Sequence, residues 1–444
     1  MSRTLRAART VNSGIARWIT LVLVLAYGMS ALAQSDSSAT TTKQPMQLGD
    51  VLKRIAEVQR EGNELTVLDM LRGMQNQIGA SDRAASVAIA DASYHFEAVV
   101  GNYRAALRDF SLASGAQRPD LASADEFPLR GLQAKPALSV LDTMVENTPI
   151  VMLNEAHHVP QHRAFAIQLL ELLRKKGFRY FAAETLAVYD QDLQTRGYPT
   201  SASGYYTAEP VYGDLVRTAL KLGYRVIPYE APGSFRTAEG RELAQASNLM
   251  EAIFKKDAHA KVLIYAGYSH INEGGLLAGV VPLAKRLRDL TGTDPLTIDQ
   301  TVMSEQSSPD YEQPIYRYLM AHSPIQEPTI FVNAEGVPWS FQPGIRDITL
   351  FQPRSVYVNG RPSWLTLGGL RKPYTLPASV CGTVPRCLVK ARLADESEEA
   401  VPVDELEIAV TAQQSTLMLA KGAYRLQIQD PLGHTLETLP IKQP

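Results

Sequence analysis

The feature that most constrains the fold of this chain is a fivefold alternation of short apolar segments and amphipathic stretches between residues 149 and 299. Each apolar segment has the length of a buried strand, and the stretches that follow have apolar residues at helical spacing. This alternation predicts a mostly parallel sheet with helices on its faces. The five predicted strands are PIVMLN, FRYFAAET, GYRVIPYE, KVLIYAGYSH and PLTID.

The segments on either side have different patterns. Residues 48–118 have helical periodicity without strand signals, which predicts an N-terminal helical subdomain. Residues 349–444 have short alternating runs, among them two predicted strands joined at Lys421-Gly422, and these predict a small C-terminal all-β domain. We therefore expect an α/β protein whose α/β domain, residues 119–348, lies between these two units in the chain.

The first 47 residues have the composition of an export signal and a linker. Four arginines precede an apolar run that ends in Ala31-Leu32-Ala33, and this order is typical of a cleaved signal peptide. The run is shorter than the roughly 20 residues that a membrane-spanning helix needs. We expect residues 1–33 to be removed, residues 34–47 to be a flexible leader, and the mature protein to be secreted or periplasmic, without a stable membrane anchor.

The two cysteines, Cys381 and Cys387, enclose the turn-like stretch GTVPR. In an oxidising compartment this spacing predicts a disulfide across a hairpin. The alternative is a pair of free thiols. The loop is so short that the bond would stabilise the fold by only roughly 2 kcal/mol.

Ionisable residues stand at the end of every predicted strand of the central domain. In a parallel sheet the carboxyl ends of the strands lie along one edge, which is where ligands bind in open α/β folds. We therefore expect these groups to meet in one crevice. They are Glu155, His157 and His158 after the first strand, Glu184 after the second, Glu230 after the third, His270 after the fourth and Asp299 after the fifth.

So many carboxylates need compensation, because two of them about 4 Å apart repel by roughly 4 kcal/mol at an effective dielectric constant of 20. Three arrangements are open: a bound cation with histidine ligands, neutralising arginines, or carboxyl groups that hold protons. The segment after the third strand contains Arg241, Gln245 and Asn248 on one helix face. That face is either exposed to solvent or in contact with substrate.

The motifs at these strand ends resemble the superfamily of erythromycin-esterase-like, ChaN-like and Tiki/TraB-like proteins, over residues 130–305. Gly267-Tyr268-Ser269-His270 matches one of the two Gly-x-x-His motifs of the Tiki branch. Asn154-Glu155-Ala156-His157 matches the other, with asparagine in place of the glycine. This resemblance implies a metal-dependent peptidase with one divalent ion. Its implied ligands are His157, Glu184 and His270, with Asp299 as a further candidate.

The other branches imply different chemistry. The esterase branch has its histidine one residue later, which selects His158, and uses glutamate and histidine as general base without a metal. The ChaN branch binds haem, for which Tyr205, Tyr206 and Tyr212 are the candidate iron ligands.

The leading hypothesis is a secreted hydrolase that cleaves an ester, lactone or amide bond in a small-molecule or peptide substrate. Glu155 would act as general base, the histidines would bind a metal ion or move protons, and Arg241 would bind the substrate or its oxyanion with help from Glu230 and Asn248. The alternative is an exported protein that binds haem, iron or a peptide without catalysis. The formal net charge of −2 gives no basic field for nucleic acid, so that partner is not expected.

Overall fold

A computed structural model describes residues 64–78, 82–119, 129–230, 237–275, 279–409 and 415–444, together with Gly49 and Lys53. The predicted signal peptide and leader, residues 1–47, lie outside the described residues. Within the described ranges, no helix combines the length and the apolar character that crossing a membrane requires.

A mixed sheet lies at the centre of the described structure. Its strands are β1 Gln133–Pro136, β2 Ile150–Glu155, β3 Tyr180–Ala183, β4 Arg225–Pro228, β5 Val262–Gly267, β6 Leu296–Met303, β7 Thr329–Val332 and β8 Ile348–Phe351. They are arranged in the order β1-β7-β8-β6-β2-β5-β3-β4. All pairs from β8 to β4 are parallel, and β7 pairs antiparallel with β1 and β8. The predicted α/β fold with a mostly parallel sheet is confirmed.

Ten α-helices surround this sheet or precede it in the described part of the chain. The helices before it are α1 Glu64–Ile78, α2 Arg83–Val99 and α3 Tyr103–Ser114. The others are α4 Ala137–Met144, α5 Gln161–Lys175, α6 Leu193–Arg196, α7 Pro210–Lys221, α8 Ala238–Leu249, α9 Leu283–Thr291 and α10 Pro314–His322. Pro210 opens α7, where its fixed φ suits the first turn.

Strand β2 shows why the parallel strands are apolar along their length. Val151 and Leu153 pack in one core with side chains of α5 and α7. Ile150 and Met152 point to the other face and pack with side chains of α8 and α9. Since helices cover both faces, neither face of the strand tolerates polar residues before the strand reaches its carboxyl end.

The remaining strands are β9 Tyr357–Val358, β10 Arg361–Pro362, β11 Arg371–Leu376, β12 Arg386–Leu393, β13 Asp404–Ala409, β14 Ser415–Ala420, β15 Gly422–Gln429 and β16 Thr435–Gln443. They form small antiparallel sheets, of which the largest has the order β13-β12-β15-β16. The two strands predicted around Lys421-Gly422 are present, but β14 pairs with β11 and β15 pairs with β12 and β16.

Cys381 and Cys387 form a disulfide, as predicted from their spacing. The bond closes the turn between β11 and β12. The expected hairpin is absent from the described residues there, because β11 pairs with β14 while β12 pairs with β13 and β15. The bond therefore constrains a connection between two sheets.

Ion pairs join the three units. Arg72 of α1 donates to Glu97 of α2 and to Glu407 of β13. Arg217 of α7 donates to Glu396, which precedes β13. The β-rich part is thereby joined to the helical unit through α1 and to the α/β unit through α7.

Candidate active site

The candidate site lies at the carboxyl ends of β2, β5, β3 and β4, which are neighbours in that order. Register places Glu155, the last residue of β2, beside Gly267, the last residue of β5. Glu184 follows β3 directly, and its backbone N–H donates to the carbonyl of Tyr265 in β5. The structure therefore brings together Glu155, His157, Glu184, Glu230, Arg241 and His270, all of which had been singled out from the sequence.

Glu155 and His157 form a hydrogen-bonded pair, in which Glu155 Oε1 lies 2.8 Å from His157 Nδ1. The same carboxylate accepts two hydrogen bonds from Arg163, at 2.8 Å from Nε and 3.0 Å from Nη2. Arg163 is fully buried, and its Nη1 donates to Glu209 at 2.8 Å. Both oxygens of Glu155 are thus occupied, and His157 is the group that faces the crevice.

The charges of this buried group are set by their neighbours. Burial opposes ionisation of Glu155, but Arg163 and His157 outweigh it and hold the pKa of this carboxyl well below its usual range. Burial raises the pKa of Glu209, against the opposing effect of Arg163 and of two backbone N–H donors at the start of α7. Glu155 is therefore an anion that can stabilise a protonated His157.

Gly267 makes room for the imidazole of His157. A Cβ atom at this position would lie 2.6 Å from His157 Nε2 and 3.2 Å from Glu184 Oε2, so any larger residue would displace the histidine. Gly267 thus packs against both His157 and Glu184, and its backbone N–H donates a hydrogen bond to Glu184 Oε2. The ring of Tyr206 stacks on His157 with 4.0 Å between centroids, and Tyr268 meets it edge-on at 5.2 Å.

The asparagine that replaces the motif glycine has a structural function. Asn154 Nδ2 donates to the carbonyl of Tyr268 at 2.8 Å and to Asp299 Oδ1 at 2.9 Å. Tyr268 has a φ of +43°, in the left-handed region that costs a non-glycine residue energy. The Asn154 side chain holds the strained turn that leads from β5 to His270.

A network of opposite charges fills the other half of the crevice. Arg241 donates to Glu184 Oε1 and to both oxygens of Glu230. His270 Nε2 lies 3.2 Å from Glu184 Oε1, and His270 Nδ1 lies 2.6 Å from Glu242 Oε1. The sequence left three ways to compensate these carboxylates: a bound cation, neutralising arginines, or bound protons. The structure shows neutralisation by an arginine.

These carboxylates raise the proton affinity of His270. Burial favours the neutral imidazole, but Glu242 and Glu184 raise the pKa of His270 to about 10. Burial likewise opposes the charge of Glu184, yet His270 and Arg241 hold its pKa well below the usual range. At neutral pH the site therefore contains two cations, Arg241 and His270, which share Glu184 and have one further carboxylate each, Glu230 and Glu242.

We expect His270 to make the stability of the protein depend on pH above neutrality. Its folded-state pKa of about 10 exceeds the ordinary value of 6.5, so its contribution is full below about pH 6.5 and is lost as pH rises through 10. The loss should be of the order of a few kcal/mol. Urea unfolding of wild type and His270→Gln between pH 6 and 10 measures it. The two curves should converge at high pH; a constant difference would contradict the expectation.

Other residues from the sequence-based set have different surroundings. His158 turns away from His157 and stacks on Phe110 with 3.5 Å between centroids. Asp299 accepts from Asn154 and pairs with Arg346, which lowers its pKa despite burial. Asn248 donates to the carbonyl of Tyr229 at 3.1 Å. None of these contacts places the three side chains in the Glu184–His270 network of the described structure.

The residues proposed as metal or haem ligands have other contacts. No group of three or more His, Cys, Asp or Glu side chains in the described part of the chain is arranged to hold a metal ion. The Arg241 guanidinium, 3.2 Å from His270 Nε2 and bonded to Glu184, stands among the expected ligands, and these donors do not fit a metal. Tyr205 stacks on His95, Tyr206 on His157, and Tyr212 lies below Arg163.

The helix that carries Arg241 turns its polar face towards the carboxylates at the strand ends. Gln245 is fully buried and donates to both oxygens of Glu230 at 3.2 Å, so the polar face points into the crevice. Leu243 of the same helix is half exposed. The polar face of α8 is required to compensate the charges at the strand ends.

Sequence reasoning missed four residues of the site. Arg163 follows Glu155 by eight positions and stands directly before the apolar residues 164–167 of α5, which was the available signal for a buried charge. Glu209 directly precedes Pro210 and caps α7, a signal of helix start that did not reveal its pairing with Arg163. Glu242 adjoins Arg241 in the sequence. Tyr268 lies inside the matched motif without a role assigned to it.

Comparisons with known proteins add little to this geometry. No family model and no curated protein matches the chain. Two solved structures described as bacterial protein toxins are similar, with TM-scores of 0.30 and 0.31, identities of 15% and 16%, and coverage of 59% and 64% of this chain and 68% and 72% of theirs. A third is RRSP, a MARTX toxin effector domain from Vibrio vulnificus (TM-score 0.27, 16% identity, 54% of this chain, 60% of that chain). At such TM-scores the similarities carry no inference.

Proposed function

We propose that this protein is a hydrolase of an ester, lactone or amide bond, with His157 as general base. The observation that carries the proposal is the hydrogen bond between Glu155 and His157, fixed by the buried Arg163. A histidine whose Nδ1 is bonded to an ionised carboxylate has its Nε2 available to take a proton. This is the arrangement that activates a water molecule or another nucleophile.

Glu155 and His157 have separate roles in this proposal. His157 Nε2 removes a proton from the attacking water as the water adds to the substrate carbonyl, and later gives a proton to the leaving group. Glu155 orients the imidazole through Nδ1 and stabilises its protonated form. The direct action of Glu155 on water, our first hypothesis, is disfavoured because His157 and Arg163 occupy its oxygens.

Arg241 and His270 supply the positive charge for the developing oxyanion. Both reach Glu184 Oε1, and Gly267, whose N–H donates to Glu184 Oε2, packs against the His157 imidazole. Donors that are fixed before the reaction stabilise the tetrahedral intermediate without reorganisation. Glu184 and Glu230 hold the guanidinium in place.

Arg241→Met is expected to lower kcat by about 10²–10³-fold, the usual effect of removing one oxyanion donor. The assay is a panel of aryl ester, lactone and anilide substrates. Arg118→Met is the matched control and should leave kcat unchanged, because Arg118 is exposed and lies far from Arg241 in the sequence. A chelator should not change the wild-type rate, because Arg241 contacts two of the expected metal ligands, Glu184 and His270. Absence of hydrolysis across the whole panel would contradict the proposal.

The sequence resemblance supports this reading in one respect. The esterase branch of the superfamily uses glutamate and histidine without a metal, and we place the chain nearest to that chemistry, although with His157 in place of His158. The signal-peptide pattern of residues 1–33 supports action in the periplasm or outside the cell.

A further inference from the structure

We propose that the aromatic side of the crevice is a binding subsite for an uncharged aromatic ring of the substrate, next to the bond that is cleaved. The assignment of the bond to this place rests on the proposed role of His157. The binding of a ring does not, because it depends only on the side chains around that histidine.

Two tyrosine rings contact His157, and a third contacts one of them. Tyr206 stacks on the imidazole at 4.0 Å, Tyr268 meets it edge-on at 5.2 Å, and Tyr205 meets Tyr206 edge-on at 5.2 Å. Tyr205 and Tyr206 come from the connection after β3, and Tyr268 from the turn after β5. Two strand ends thus build one aromatic surface.

The helices before the sheet extend this surface. Phe110 of α3 stacks on His158 at 3.5 Å, and Tyr94 of α2 meets Phe110 edge-on at 5.5 Å and His158 at 5.8 Å. Phe110 and Tyr268 are nearly parallel, with 6.4 Å between centroids, and this contact joins the two groups of rings. The helical unit therefore forms a wall of the candidate site.

The exposure of these rings points to a ligand more than to a core. Rings that only stabilise a core are buried, as Tyr212 and Tyr265 are. Tyr94, Tyr206 and Tyr268 are half-buried and Tyr205 is 53% exposed, and the side chain of His157 among them is 15% exposed. Tyrosine offers a large apolar face and a polar hydroxyl at low entropic cost, which is why it is enriched where ligands bind.

The position of the charges gives the orientation of the substrate. His157 stacks on Tyr206 and packs against Gly267, which donates to Glu184, the shared partner of Arg241 and His270. A carbonyl group beside His157 Nε2 would therefore have its ring-bearing side on the tyrosines and its oxygen towards the cations. The ring can belong to a phenylalanine or tyrosine side chain of a peptide or to a small aryl compound.

The test compares binding with and without a ring. Titration calorimetry of the wild-type protein with N-acetylphenylalaninamide and N-acetylalaninamide should show binding of the first that is at least about tenfold tighter, since it can contact more than one tyrosine. Benzamide separates the two sources of the ring. If benzamide binds as tightly as the phenylalanine derivative, the ring belongs to a small aryl compound. If benzamide binds much more weakly, the ring belongs to a peptide. Equal affinity for the phenylalanine and alanine derivatives would overturn the proposal.

Single substitutions test whether Tyr94 and Tyr205 contact the bound ring. Tyr94→Leu and Tyr205→Leu should each weaken binding of N-acetylphenylalaninamide by about threefold to tenfold, the effect of one aromatic contact. Tyr94→Phe keeps the ring and should bind as wild type does. Tyr318→Leu removes a half-exposed tyrosine on α10 and is the control. Tyr205 packs less tightly than Tyr94, so Tyr205→Leu still reports on binding if Tyr94→Leu disturbs the fold. If neither Tyr94→Leu nor Tyr205→Leu weakens binding of N-acetylphenylalaninamide more than Tyr318→Leu does, the assignment is overturned.

These outcomes separate the two proposals. Ring binding without hydrolysis of any substrate would contradict the proposed function and leave the subsite in place. Hydrolysis at the same rate with and without an aromatic ring in the substrate would support the proposed function and contradict the subsite.

Discussion

Replacing His157 by alanine is expected to lower kcat by about 10²–10⁴-fold, the range that a general base contributes. The expected effect on stability is small, because the Glu155–Arg163–Glu209 pairing persists without the imidazole. Steady-state kinetics on the substrate that the wild type hydrolyses, with urea unfolding in parallel, measure both quantities.

The neighbouring histidine provides the matched control. His158→Phe keeps a ring against Phe110 and removes only the 3.4 Å contact between His158 Nδ1 and the Tyr268 hydroxyl. Burial and nearby positive groups lower the pKa of His158 well below its usual range, so it is neutral and poorly placed for proton transfer. We expect His158→Phe to retain most of the activity. The reverse pattern, an active His157→Ala and an inactive His158→Phe, would assign the base to His158 and reject our choice.

The parallel part of the sheet could be predicted because each of its strands is buried on both faces. The five predicted segments overlap β2 to β6, and the helices between them follow at the predicted places. A strand such as β5, Val262–Gly267, is buried at every position and so leaves a continuous apolar run in the sequence. Its end is equally visible, because polar residues begin where the covering helices no longer bury the strand.

The edge of the sheet could not be predicted in the same way. β1 has the sequence QAKP and is exposed at all four positions, so its strand conformation comes from pairing with β7 and not from its own residues. β8, Ile348–Phe351, crosses the domain boundary that we placed after residue 348, and it belongs to the main sheet. The partners of β14 and β15 are likewise decided by contacts between residues far apart in the chain.

The candidate site shows the same limit. Strand ends placed Glu155, Glu184, Glu230 and His270 on one edge because that depends only on chain direction. Their compensation depends on remote residues, such as the pair between Arg163 and Glu209, which are 46 positions apart. The aromatic wall from α2 and α3 depends on how the helical unit docks, about which the pattern of these helices says nothing.

Replacing Arg163 by methionine is expected to destabilise the protein by about 3–5 kcal/mol at neutral pH. Arg163 is fully buried and is the shared partner of two buried carboxylates, Glu155 and Glu209. Removing one partner of a buried ion pair leaves charge in an apolar surrounding, and this costs more than the loss of the attraction itself. Methionine keeps much of the volume, so the effect reports on charge. Lys255→Met, which breaks an exposed pair with Glu251, should change stability little.

The pH dependence of this loss distinguishes charge from packing. In the wild type the folded-state pKa of Glu155 is depressed, so its contribution is present above the unfolded value of roughly 4.3 and is lost as pH falls through the folded value. In Arg163→Met the two carboxyls lack their cation, and burial raises their pKa above the unfolded value, so the variant gains stability relative to wild type as pH falls. The difference in unfolding free energy should therefore shrink between pH 7 and about pH 4. Urea unfolding at several pH values measures it, and a difference that stays constant would show that Arg163 stabilises the fold through packing alone.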